Sequence, residues 1–483
     1  MLVWFVLLYL AVSIGIGLWA ALRVKNSRDY LVAGRSLPLY MSITVVFATW
    51  FGAETVLAVS STFLKEGMSG IVADPFGFSL CLVLVGLFFA RAFYRMNLLT
   101  IGDFYKKRYN RPVELITSLA ITLSYLGWTS AQMTALGVVF HTLSDGAISL
   151  QTGIMIGAGV VMIYTLFGGM WSVAFTDLFQ TVIIVLGLIY LASLLGDMAG
   201  GPAVIVAHAA TAEKFTFWPQ FELKDVLWFL AAFITAALGS IPQQDVFQRV
   251  TSARNEQTAV RATIIGGMLY LCFAFVPIYL AYSAFLIDPN MVTPLINAEG
   301  NEHQLILPNL ILNHTPMFAQ VVFFGALLSA ILSTTSGALL APTAIFTENV
   351  LRPFFPHMSD RQFLLTLRLV LIIFALCVML FALNSEATIY EMVQNAYKVT
   401  LVSCFVPLVF GLYWKHANVP GAVAAVLLGM LGWGLMELVA PEGLWPPQLV
   451  GLAASLVGMI AGSLFTQGAA HPSAQAHRTT RGA

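Results

Sequence analysis

Residues 42–62 read SITVVFATWFGAETVLAVSST, a stretch long and apolar enough to cross a bilayer that nevertheless carries Thr49, Gly52, Glu54 and Thr55 at its centre. Hydrocarbon supplies no hydrogen bonds, so polar, glycine-interrupted spans survive there only where they line a cavity or face other protein. A buried carboxylate in such a span calls for a partner. The stretch predicts a transport pathway inside a helical membrane protein.

The rest of the chain agrees with a polytopic membrane protein. Of 483 residues, 59% are hydrophobic and 10% charged, and the mean hydropathy is +0.85, far outside soluble domains. Net charge is zero, with 23 basic and 23 acidic residues, so nucleic acid is not an expected partner and no obligatory protein partner is evident. Cys81, Cys272, Cys377 and Cys404 are too scattered for a disulfide framework or a metal site, and read as small buried hydrophobes. Residues 2–21 lack a basic leader and a clean cleavage site, and read as a retained helix.

A hydropathy window of about 19 residues finds spans near 2–22, 40–64, 70–90, 114–144, 149–170, 174–196, 226–247, 261–287, 306–346, 364–384, 388–413, 420–440 and 447–466. That is about 13 helices. With the N-terminus outside and the C-terminus cytoplasmic, all of the 23 basic residues except Lys65, Lys214, Lys224 and Lys398 fall in cytoplasmic segments. Arg249 is counted there, with Arg254 and Arg261.

Two spans share a broken character. Besides 42–62, the seventh reads LAAFITAALGSIPQQDVFQRV (230–250), where Pro242 removes a backbone donor near Gly239. Interrupted segments in corresponding positions of two halves point to a secondary transporter's midplane site. Five spans separate them. The predicted organisation is an added N-terminal helix (1–25), inverted five-helix repeats (38–197 and 226–415), two C-terminal helices (418–467) and a disordered cytoplasmic tail (468–483).

Two motifs carry a family resemblance. Gly168-Gly169-Met170-Trp171-Ser172-Val173-Ala174-Phe175-Thr176-Asp177-Leu178-Phe179-Gln180 matches the G-G-x-x-A/S-V-x-x-T-D-x-x-Q signature of the sodium:solute symporter family, and Ala330-Ile331-Leu332-Ser333-Thr334-Thr335-Ser336 matches its ninth span. The chain resembles that family from the first span through the eleventh. Within it, Ala48-Thr49-Trp50 with Gly52, and Ile241-Pro242 with Phe247-Gln248-Arg249-Val250, resemble the high-affinity choline transporter branch. One departure stands out: Gln243 occupies the place of a tryptophan that cages the quaternary ammonium in that branch.

The resemblance implies a LeuT-like, all-α fold and a sodium ion held by Ala48, Phe51, Ala330, Ser333 and Thr334. Elementary chemistry points the same way, since an unwound helix frees carbonyls and hydroxyls spaced i, i+3, i+4 share a face. Asp177 and Ser336 are candidates for a second sodium, with Gly337 in place of a hydroxyl residue; Asp177 reads equally as a gate or a helix cap. The implied substrate wall comprises Trp50, Glu54, Thr55, Trp128, Gln132, Gln243, Gln244, Tyr397 and Lys398. Trp50 and Trp128 could receive an ammonium group on their indole faces. Glu54 and Lys398 either pair with each other or bind the two ends of a zwitterion, and Lys398 could instead snorkel past Tyr390. The expected function is sodium-coupled symport of a small organic solute, an amine, amino acid or related zwitterion, at the plasma membrane. A proton-coupled transporter through Glu54 and a non-transporting solute sensor are the alternatives. No nucleophile–base cluster suggests an enzyme.

Overall fold

The computed structural model describes residues 2–298, 302–385 and 387–469, and among them it is helical almost throughout. The expected tail lies outside these residues beyond 469. Local sequence sets the helix starts: Asn110 accepts from the Val113 amide, Asn255 from Thr258, and Ser359 and Thr388 form capping boxes with Gln362 and Glu391.

The spans are α1 (Leu2–Ala21), α2 (Leu39–Ala48), α3 (54–66), α4 (Met68–Met96), α5 (Arg111–Leu143), α6 (Leu150–Met198), α7 (Leu223–Gly239), α8 (Gln244–Ser252), α9 (Glu256–Ile287), α10 (Met317–Phe354), α11 (Asp360–Asn384), α12 (Ile389–Tyr413), α13 (Val419–Val439) and α14 (Pro447–Ala469). Among the described residues, nine helices are long and apolar enough to cross a membrane, or ten if the bent pair α7/α8 is one span. The expected count of 13 exceeds this for physical reasons. The second span is split at 49–53, and α5 buries Thr117, Thr122, Ser124, Thr129, Ser130, Gln132 and Thr134, which lower its hydropathy. The fifth and sixth spans run together as α6, broken at Gly169. There φ is +50°, and a Cβ would run into the Tyr30 carbonyl, which explains the glycine.

Large apolar side chains such as Trp4, Leu8, Phe88, Leu123, Leu186, Phe318, Leu369 and Leu435 are exposed around the bundle. In water so broad an apolar surface would be a liability; against lipid it is the solvent-facing side. All four cysteines are free, but only Cys81 and Cys404 are buried, while Cys272 and Cys377 sit on the exposed faces of α9 and α11. α13 and α14 pack mainly on each other and meet the core along residues 401–405 of α12.

Candidate functional site

The turn at 49–53 interrupts the helix because its polar groups are taken by three neighbours. Gln132 of α5 accepts from the Ala53 amide at 3.0 Å, Thr334 of α10 donates to the Ala48 carbonyl at 3.3 Å, and Arg249 of α8 donates to the Thr49 hydroxyl at 2.9 Å. The approach demands glycine at 52. A Cβ there would lie 2.7 Å from Thr334 Oγ1 and 2.8 Å from Gln132 Oε1.

The second break is held in a parallel way. α7 and α8 meet at 44° across residues 240–243. Thr400 of α12 donates to the Gly239 carbonyl at 2.7 Å, Gln243 bridges Ser124 and Thr400 at 3.2 and 3.3 Å, and the Tyr125 hydroxyl accepts from the Asp245 amide at 2.9 Å. Ser124, Trp128 and Gln132 are spaced i, i+4, i+8, so one face of α5 touches both breaks.

Of the residues read as sodium ligands, Thr334 and Ala48 are in contact across the two spans. Ser333 Oγ donates to the Ala330 carbonyl at 3.0 Å and Thr334 Oγ1 to the Ala48 carbonyl, all fully buried. Phe51 lies in the same turn, its ring stacked on Phe47 at 4.9 Å. The donor set of hard oxygens fits an alkali cation, which would take over the acceptors these hydroxyls now engage.

Beside the turn is an aromatic box. Ring centroids of Trp50 and Phe78 are 5.0 Å apart, Phe78 and Tyr397 5.1 Å, Trp128 and Tyr397 6.1 Å, and Trp50 and Tyr397 6.4 Å. None of the four is more than 2% exposed, and among the described residues Trp50 Nε1 and Tyr397 Oη have no hydrogen-bond partner. Phe78 was not anticipated from sequence; its place one helical turn past Asp74 is the only signal it carries.

Next to the box, Glu54 and Asp74 are buried together. The Tyr270 hydroxyl donates to Asp74 Oδ1 at 2.5 Å and Thr55 Oγ1 to Oδ2 at 3.1 Å, while Glu54 Oε1 has no partner among the described residues. Thr55 thus belongs to the acid cluster. Asp74 was missed, although an ionisable residue inside the apolar run 70–90 is the same kind of signal as Glu54.

Several expectations need correction. Lys398 does not reach Glu54: its Nζ lies 3.4 Å from Glu437 of α13, which also accepts from Trp433 Nε1 at 2.9 Å, because α12 turns this residue toward the C-terminal helices. Gln244 is turned away from the box, its Oε1 accepting from the Ile101 amide at 2.8 Å. Arg249 is no loop charge but 3% exposed, against Gly337, where a Cβ would collide with its Nη2. Asp177 does not cap a helix; it lies inside α6 with both carboxylate oxygens unpartnered among the described residues, and Arg249 is the charged group that bears on it. Ser336 Oγ donates to the Ser333 carbonyl at 2.9 Å.

A solved Na+-coupled sialic acid symporter superposes with a TM-score of 0.82 over 96% of this chain and 97% of its own, at 19% identity. Among curated relatives, the high-affinity choline transporter 1 of Torpedo marmorata is 26% identical over 440 residues, covering 88% of this chain and 74% of the relative. The osmoregulated proline transporter of Bacillus subtilis is 24% identical over 488 residues, covering 95% and 94%. Two broken spans facing each other across a buried polar centre, in the fold shared with that solved symporter, give this chain a LeuT-like frame. The chain belongs to the sodium:solute symporter family, whose model matches residues 30–429.

Proposed function

We propose that this protein drives uptake of a small organic solute bearing a cationic nitrogen with a sodium gradient, by alternating access across the plasma membrane, N-terminus outside and C-terminus cytoplasmic. One observation carries the reading: the hydroxyl–carbonyl cluster and the aromatic box share a single turn, with Ala48 in the first and Trp50 in the second. Sodium enters as co-transported cargo and supplies a fixed positive charge. Held by Ala48, Phe51, Ala330, Ser333 and Thr334, it would fix the turn and so the Trp50 indole, and the coupling runs equally in both directions. The repeats implied are 38–197 and 226–415, rocking around this centre.

The box suits an ammonium group, since a desolvated cation over an aromatic face gains up to about 2 kcal/mol. The engagement of Lys398 with Glu437 argues against a zwitterion whose carboxylate it would hold. Arg249, packed on Gly337, bears electrostatically on Asp177, which supports one sodium per cycle with Asp177 and Ser336 as a gate.

The test is a thermal-shift screen of the purified protein against amines, amino acids, sugars and carboxylates, in sodium and in potassium. Stabilisation by an ammonium compound in sodium alone is expected, followed by sodium-driven accumulation in proteoliposomes. Binding without accumulation would point to a sensor instead. The Glu54–Asp74 pair favours one second reading, proton coupling, which requires uptake that survives sodium removal and collapses with the pH gradient.

A further inference from the structure

Glu54 and Asp74 are two carboxylates in a membrane-embedded core, on α3 and α4, with 2% and 0% exposure. An uncompensated charge in such a place is costly, and two are more so. Around them stand Tyr270 of α9 and Tyr390 and Tyr397 of α12, and the segment Glu302–Leu305 packs over residues 54–58. Among the described residues, no ion pair includes either carboxylate, and the lysine of this region is engaged by Glu437.

The two acids are not equivalent. Asp74 accepts from two hydroxyls, Tyr270 at 2.5 Å and Thr55 at 3.1 Å, and those hydroxyls lie 2.9 Å from each other. Two of its acceptor positions are thus filled by the protein's own hydroxyls. Among the described residues Glu54 Oε1 has no partner, and neither has Nε1 of Trp50, four residues earlier across the break. An acceptor without a donor thus stands at the edge of an aromatic box.

Resting on the sodium-coupled cation reading above, we infer that Glu54, backed by Asp74, is the seat for an N–H-bearing ammonium group, so that the solute is a primary, secondary or tertiary amine in its protonated form and not a quaternary one. The aromatic faces accept any cation, because they offer only a field. A carboxylate oxygen at the edge of the box adds a directional acceptor that only an N–H can satisfy. The quaternary solute of a choline-type site needs no such acceptor, and a site built with a buried one discriminates against a ligand that leaves it empty.

The experiment uses the full-length protein in detergent with sodium, and a graded series on one skeleton: ethanolamine, its N-methyl and N,N-dimethyl derivatives, and choline. Ligand-induced thermal shift and tryptophan fluorescence give apparent affinities. The N–H-bearing members are expected to bind about tenfold or more tighter than choline, the worth of one charge-assisted hydrogen bond. Glu54→Gln should erase that preference while leaving the sodium midpoint measured without solute unchanged. Choline binding as tightly as the others would overturn the inference and leave the sodium-coupled cation reading standing. A Glu54→Gln loss of solute-free sodium stabilisation would overturn it in favour of a metal-cation site. Failure of every ammonium compound to bind would bring down both readings. Should Glu54→Gln not fold, the order of the four compounds on the unaltered protein decides alone.

Discussion

Gly52→Ala is the sharpest perturbation of the shared turn. The added methyl would lie 2.7 Å from Thr334 Oγ1 and 2.8 Å from Gln132 Oε1, and both atoms already hold the turn, through the Ala48 carbonyl at 3.3 Å and the Ala53 amide at 3.0 Å. An ordinary contact requires each to retreat by more than about half an ångström, which takes both bonds out of range. At a net ~1 kcal/mol apiece the loss is about 2 kcal/mol. Because the displaced Thr334 Oγ1 is also a proposed sodium ligand, losing its contact with the ion should in addition raise half-saturating sodium about tenfold or more. Sodium titration of thermal stability, without solute, measures this directly. Gly325→Ala in α10 is the control, since no atom lies within 4 Å of its added Cβ. If Gly52→Ala folds and keeps the unaltered sodium midpoint, or only lowers stability equally in sodium and potassium, the turn is not part of the ion site.

Three further outcomes follow from neighbouring contacts. Thr334→Val should raise half-saturating sodium about tenfold or more, whereas Thr335→Val, whose hydroxyl bonds the Ile331 carbonyl of its own helix at 2.5 Å, should leave it within about twofold, both read by the same titration. Lys398→Gln removes a partly exposed ion pair, so stability should change by no more than ~1 kcal/mol and sodium-driven uptake should persist; abolished uptake would return Lys398 to the solute site. Outside the bundle, the Met291 amide and His314 hold the Asp288 carboxyl below its usual range, so its stabilising effect is present above about pH 4 and fades as pH falls through the lower folded value. Asp288→Asn should therefore speed hydrogen exchange over residues 288–296 at pH 7, with the difference from the unaltered chain vanishing in strong acid.

Much of this architecture was legible in the sequence because bilayer physics is severe. Glycine, proline and a carboxylate inside apolar runs marked both breaks, and the motif around Ser333 and Thr334 marked what faces the first. What escaped depended on rotation of helices about their own axes. Lys398 and Tyr397 are adjacent, yet α12 turns Tyr397 into the box and Lys398 toward Glu437. Arg249 lies past the apolar stretch near 226–247 and so falls in a cytoplasmic segment by hydropathy, and only tertiary packing reveals that all of α8 is buried. Asp74 lay in plain view but has no motif, and its partners Thr55 and Tyr270 come from 19 and 196 residues away.

The stripe on α5 has a metrical consequence. Ser124 touches one break and Gln132 the other, eight residues apart on a continuous helix, which fixes about 12 Å between them at 1.5 Å per residue. A rod of set length between the two interruptions acts as a gauge. On the proposed function, a cargo longer than the interval would have to part Gln243 from Ser124 or Ala53 from Gln132.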